Sequence, residues 1–168
     1  MKDHSKARLA NVADRFGRRI QAADHAARPD LEAFCSEFRR VRDATIIPAM
    51  RDVGEELLRQ SAGGRPIGNT RYAIEIEDQP APGREAPSVT LRLFLTPRAP
   101  HGHRITFTVI TRDAVKGPEI LAFLEASPPP MDIARFRPDD LTEGVVEQLI
   151  VDAVEQIYAC AAELPAKP

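Results

Sequence analysis

The chain has no tryptophan, two cysteines among 168 residues, and aromatic side chains at only 5% of positions. Two thiols cannot staple the kind of small secreted domain that relies on disulfides. Cys35 and Cys160 also fall inside helical patterns on apolar stripes, so a reducing, cytoplasmic setting is expected. No apolar run approaches the roughly 18–20 residues that a membrane-spanning helix requires. Residues 1–20 carry Lys2, Asp3, Lys6, Arg8, Asp14 and Arg15 without an apolar stretch, which predicts that no secretory signal is present.

Linear catalytic signatures are missing as well. None of Ser5, Ser36, Ser61, Ser88 and Ser127 sits in a Gly-x-Ser-x-Gly elbow. The stretch Gly63-Gly-Arg-Pro-Ile-Gly68 is glycine-rich, but a helix is expected before it and a strand after it. A phosphate loop needs the reverse order and a closing Lys-Ser/Thr pair, so the stretch reads as a helix cap and turn. Asp139 and Asp140 are adjacent carboxylates at a position where helix caps occur. The chain therefore reads as a binding protein rather than an enzyme, although catalytic groups gathered from distant loops leave no linear trace.

What is present suffices for one packed domain spanning residues 1–168, with 43% hydrophobic and 29% charged residues. The basic residues are 19 Arg and 4 Lys, and there are 15 Pro, a bias typical of GC-rich bacterial coding. Charge is polarised along the chain. Residues 1–62 hold 12 basic and 10 acidic groups (net +2), residues 63–116 hold 8 and 5 (net +3), and residues 117–168 hold 3 and 10 (net −7). An acidic carboxy-terminal helix can lie against an Arg-rich surface of the same chain, or it can offer a docking face to a basic partner.

Periodicity gives the elements. Leu9, Val12, Phe16, Ile20 and Ala23 recur at three and four, which predicts a helix over 5–27 that stops at Pro29. Asp30 is the expected N-cap of a second helix reaching 62, with Phe34, Cys35, Phe38, Val41, Val53 and Leu57 on its stripes. Pro48 removes the bond to the Ala44 carbonyl, so a kink or restart is expected near Thr45. Alternation then predicts strands over Arg71–Glu77, Ser88–Thr96 and His103–Arg112, a three-stranded antiparallel sheet across 70–112. Residues 119–127 fit a helix or a fourth strand, with the strand preferred, and Met131–Phe136 fits a short edge strand within 119–136. A final amphipathic helix is expected over 140–164, capped by Asp140 or Thr142 and striped by Val146, Leu149, Ile150, Ala153 and Ile157. The fold class is α+β, an antiparallel meander of three to five strands packed by long N-terminal helices and one C-terminal amphipathic helix.

Two groups of residues deserve chemical scrutiny. His101 and His103 could share a strand end, but zinc wants three or four ligands and no Cys, Asp or Glu lies between Glu85 and Asp113. No metal or cofactor is expected. The second group is the face of the sheet opposite the aliphatic one. It carries Arg71, Arg92, Phe94, Arg104 and Arg112 among threonines and glutamates. Arg forks beside Phe94 suit carboxylate or phosphate recognition; cross-strand Arg–Glu and Thr–Thr pairs on a solvated face, or contact with a second copy, explain the same residues.

In element order, and in Pro138-Asp-Asp-Leu141 with Leu149-Ile-Val-Asp-Ala153, the chain resembles the small bacterial YbaB/EbfC nucleoid-associated family, which implies a nucleic-acid partner. That family is shorter and lacks an equivalent of residues 113–137, and the net charge here is −2 where a basic stripe is the usual footprint. Helices closing over a curved sheet could instead hold a small ligand near Tyr72, Phe107 and Arg112. The reading preferred from the sequence is a homodimeric interaction or assembly module that binds itself or another protein and uses no membrane. Its amphipathic helices carry more apolar stripe than one sheet face can cover.

Overall fold

The computed structural model describes residues 30–62, 71–78, 86–95, 101–111, 117–126 and 130–162. The helix expected over 5–27, the Gly63–Gly68 turn and Arg112 lie outside these residues. The elements run helix, five strands, helix.

Residues 30–41 form helix α1, in which Asp30 is itself helical rather than a cap. A π-helical turn, Arg42–Ile46, continues it without interruption into α2, Ile47–Ala62. The expected break near Thr45 is thus a widened turn. The Ile47 amide donates to the Arg42 carbonyl, five residues back instead of four. Widening the ladder one residue ahead of Pro48 gives its ring room beside the Ala44 carbonyl, which has no amide to receive there. The turn is tied down by the buried Arg42. Its guanidinium donates to Asp43 at 2.7 Å and to Asp78, just beyond the first strand.

The strands are β1 (Arg71–Glu77), β2 (Ser88–Phe94), β3 (His103–Ile110), β4 (Glu119–Glu125) and β5 (Met131–Phe136). They form one five-stranded antiparallel sheet in sequence order. The ambiguous stretch after Pro118 is therefore a strand. Its pairing with β3, Ile105 opposite Leu124 and Phe107 opposite Ala122, explains why strong helix formers yield here to sheet. Between β4 and β5 the register shifts at Ala122/Phe123, leaving Ile133 as the extra residue of a bulge. β2 and β3 close before Thr96 and Arg112, the ends expected from alternation alone.

A 3₁₀ turn, Pro138–Asp140, leads into α3, Glu143–Ala162. Thr142 caps α3: its hydroxyl accepts from the Val145 amide at 3.4 Å and its carbonyl from Val146 at 3.0 Å. Asp140, the other expected cap, serves the 3₁₀ turn instead, accepting from the Arg137 amide at 3.1 Å.

Strand parity places Tyr72, Ile74, Leu91, Leu93, Ile105, Phe107, Ile120 and Leu124 on one face. That face meets Ala49 and Met50 of α2 and Val146, Ile150, Ala153 and Ile157 of α3 in a single core. Both helices thus lie on the same side of the sheet. α2 comes closest at Gly54, where an added β-carbon would stand 2.8–2.9 Å from three ring carbons of Tyr72. Cys35 is half-buried on the α1 stripe, whereas Cys160 is exposed. The stripe of α3 extends past its last buried residue, Ile157, so the thiol expected on the apolar face projects beyond the packing. No helix among the described residues is long and apolar enough to cross a membrane.

Candidate functional site

The face of the sheet away from α2 and α3 gathers four of the five residues singled out for binding: Arg71, Arg92, Phe94 and Arg104. The pleat puts them there, since each alternates with a side chain that packs on the core face. Arg92 and Arg104 stand directly opposite each other on β2 and β3, an arrangement that two like charges resist. Carboxylates resolve it. Glu75 takes Arg92 at 2.8 Å and Arg104 at 3.6 Å, and Glu125 takes Arg104 from the other side at 3.6 Å. The row Glu75–Arg92–Arg104–Glu125 therefore crosses four strands with no net charge.

Beside that row, Thr90 and Thr106 share a hydroxyl hydrogen bond of 2.9 Å and are both buried. The Arg71 guanidinium lies 5.1 Å from the centre of the Phe94 ring, a cation–π distance. Each of these cations thus has an intramolecular partner. An anionic ligand would have to displace Glu75 or Glu125 to reach the forks, and the buried Nε–H groups of Arg92 and Arg104 have no acceptor.

The histidines do not converge. His101 is exposed in the turn before β3, while His103 is buried on the core face opposite Leu93. Gly102 between them has φ +72°, and a β-carbon there would lie 2.9 Å from the Leu93 carbonyl, so the turn requires glycine. One ring nitrogen of His103 hydrogen-bonds the Ala126 backbone, Nε2 has no partner, and burial pulls the imidazole pKa down. Neither histidine belongs to a group of three metal-capable ligands among the described residues. The group that does occur there is Asp52, Glu143 and Glu147, exposed or half-exposed carboxylates where the first turns of α3 meet the middle of α2.

A second feature lies on the outer side of the helices. α2 and α3 leave between them an open groove of about 450 Å³. Its floor is Val53 and Leu57 from α2 with Val151, Val154 and Tyr158 from α3, and its rim carries Asp52, Glu56, Glu147 and Glu155. Among the described residues Arg59 is the one cation lining it, and that charge is taken by Glu56 at 2.6 Å. Val151 is 40% exposed, although its neighbours Ile150 and Val154 belong to the core. The Tyr158 hydroxyl is buried without a hydrogen-bond partner, and burial raises its pKa. Sequence reasoning anticipated surplus apolar stripe on the helices but not where it gathers. Positions 147, 151, 154, 155 and 158 form one helical row, yet only the packed pair shows that this row borders that of α2.

Tyr72 and Phe107, the residues watched for a ligand between the layers, are occupied by packing: Phe107 is fully buried and Tyr72 lies beneath Gly54. Comparison with protein-family models, with curated proteins and with solved structures finds no match.

Proposed function

We propose that this protein is a non-catalytic self-association module whose homodimer forms through the outer surface of the α2/α3 pair. The observation that carries the reading is the outward-facing groove: an apolar floor, an acidic rim and an orphaned tyrosine hydroxyl in one place. Isolated exposed aliphatics are ordinary, whereas a contiguous apolar strip framed by charge is the form of an interface core and rim. A second copy supplies the complementary charge. Residues 1–116 carry 20 basic and 15 acidic groups, net +5, against net −7 in residues 117–168. A two-fold contact uses such polarity twice, positive part to negative part in both directions.

The sheet's Arg face supports a different role, since its forks are held by Glu75 and Glu125. The acidic rim also disfavours a nucleic-acid partner at the groove. Sedimentation velocity at tens of micromolar tests the reading. A dimer is expected, weakening as salt screens the rim; a monomer at that concentration refutes it.

A further inference from the structure

The groove has the chemistry of a seat for an amphipathic helix, an apolar floor with an acidic rim, and the chain encodes such a segment. Residues 5–27 carry an apolar row, Leu9, Val12, Phe16, Ile20 and Ala23. Three arginines, Arg8, Arg15 and Arg19, each precede a member of that row by one position. Wound as a helix, at about 100° per residue, the sequence would put them along the same flank of the row, with apolar side chains on one side and basic ones along its border. Counted over 5–27, five basic and two acidic groups give net +3. Among the described residues the groove lining holds four carboxylates and one arginine, net −3.

Reach then separates a segment of the same chain from that of another. α1, the π-turn and α2 are continuous from Asp30, so the middle of the groove at Glu56 is 26 residues along, about 39 Å of helix. Phe16 lies only 13 residues from Pro29, about 20 Å of helix. Folded back at Pro29, such a helix would bring Phe16 only as far as the π-turn and Leu9 no farther than the near end of the groove, so Phe16 and Ile20 could not seat in its middle. A copy related by a two-fold axis has no such constraint.

We infer that residues 5–27 of a second copy dock as a helix in the α2/α3 groove, seating Phe16 and Ile20 on Val53, Leu57, Val151 and Val154, with Arg15 and Arg19 on the acidic rim. The inference rests on the homodimer reading and specifies its contact. It is the helix-in-groove mode of recognition, with apolar anchors for affinity and flanking charges for register.

The test uses the full-length chain and sedimentation equilibrium. Phe16→Asp with Ile20→Asp is expected to raise the dimer Kd at least 100-fold while the circular dichroism spectrum keeps its sheet and helix content. Glu147→Lys with Glu155→Lys is expected to weaken the dimer about tenfold or more. Adding Arg15→Glu and Arg19→Glu to that variant should restore the original Kd to within about threefold, which no unfolding artefact would do. A dimer indifferent to the Phe16/Ile20 pair overturns the inference and leaves the homodimer reading standing. Failure of the fourfold variant to recover likewise overturns it. A wild-type monomer refutes the homodimer itself. A monomer whose melting temperature falls with the rim reversal and recovers in the fourfold variant would put the segment in its own chain's groove, against the second-copy assignment.

Discussion

Replacing Gly54 by alanine should destabilise this protein, the reverse of what the substitution does in most helices. Mid-helix, Gly→Ala ordinarily gains about 1 kcal/mol through backbone entropy. Here the new methyl would stand 2.8, 2.8 and 2.9 Å from three carbons of the Tyr72 ring, beneath which β1 continues. The nearest atoms include Cγ, close to the backbone, so the ring cannot swing its far end away; α2 or β1 must move. Overpacking of this kind costs about 1–3 kcal/mol. The difference leaves a net loss of up to about 2 kcal/mol, which in a chain of this size lowers the melting temperature by up to about 8 °C. In a Tyr72→Ala background the obstruction is gone and Gly54→Ala should stabilise by about 1 kcal/mol. The coupling between the sites would then be about 1–3 kcal/mol, measurable by urea unfolding as a double-mutant cycle. If Gly54→Ala stabilises the wild-type chain, α2 does not approach β1 as described.

Other perturbations have equally definite signs. His103 is buried with its pKa below the ordinary 6.5, so below that pH the unfolded chain takes up a proton that the folded chain resists. Unfolding free energy should therefore fall as pH drops from about 6.5, and His103→Gln should remove that step from a pH series of denaturant midpoints. Thr90→Val strands the buried Thr106 hydroxyl and should cost about 1–3 kcal/mol, whereas Thr90→Val with Thr106→Val should be nearly neutral; equal costs would mean that their shared bond is unimportant. Glu75→Gln removes the carboxylate between Arg92 and Arg104 and should cost about 0.5–1 kcal/mol at low salt, less at high salt, read from urea midpoints at two ionic strengths.

The sheet was legible because its signal is local. Tyr72, Ile74 and Ile76 alternate as plainly as Val89, Leu91 and Leu93, and period two has one common interpretation. Glu119–Glu125 was harder: Ile120, Leu121, Ala122 and Leu124 suit either structure, and the decision comes from β3 and β5 on its two sides, which no local window contains. The helix of residues 30–62 was visible, but the answer to Pro48 was not. A break, a kink and a π-turn all relieve the same missing amide, and the anchoring of Arg42 to Asp78, 36 residues away, is a long-range fact.

The candidate sites divide in the same manner. Parity correctly put Arg71, Arg92, Phe94 and Arg104 on one face. It could not show that Glu75 bridges two opposed arginines, since that depends on register. His101 and His103 are two apart in sequence, but the glycine between them turns the chain with positive φ before β3 begins, so strand parity does not relate them. The α2/α3 groove required knowing which helix neighbours which.

In the proposed dimer this chain meets its copy through the outer helical surface. Methyl NMR across a dilution series measures it directly, because Val53, Leu57, Val151 and Val154 report on the groove while Ile110 and Leu121 report on the opposite face of the sheet. Concentration-dependent shifts should appear at the four groove residues and leave Ile110 and Leu121 unmoved. Shifts confined to Ile110 and Leu121, or none at any of the six, would rule out a dimer through the α2/α3 groove.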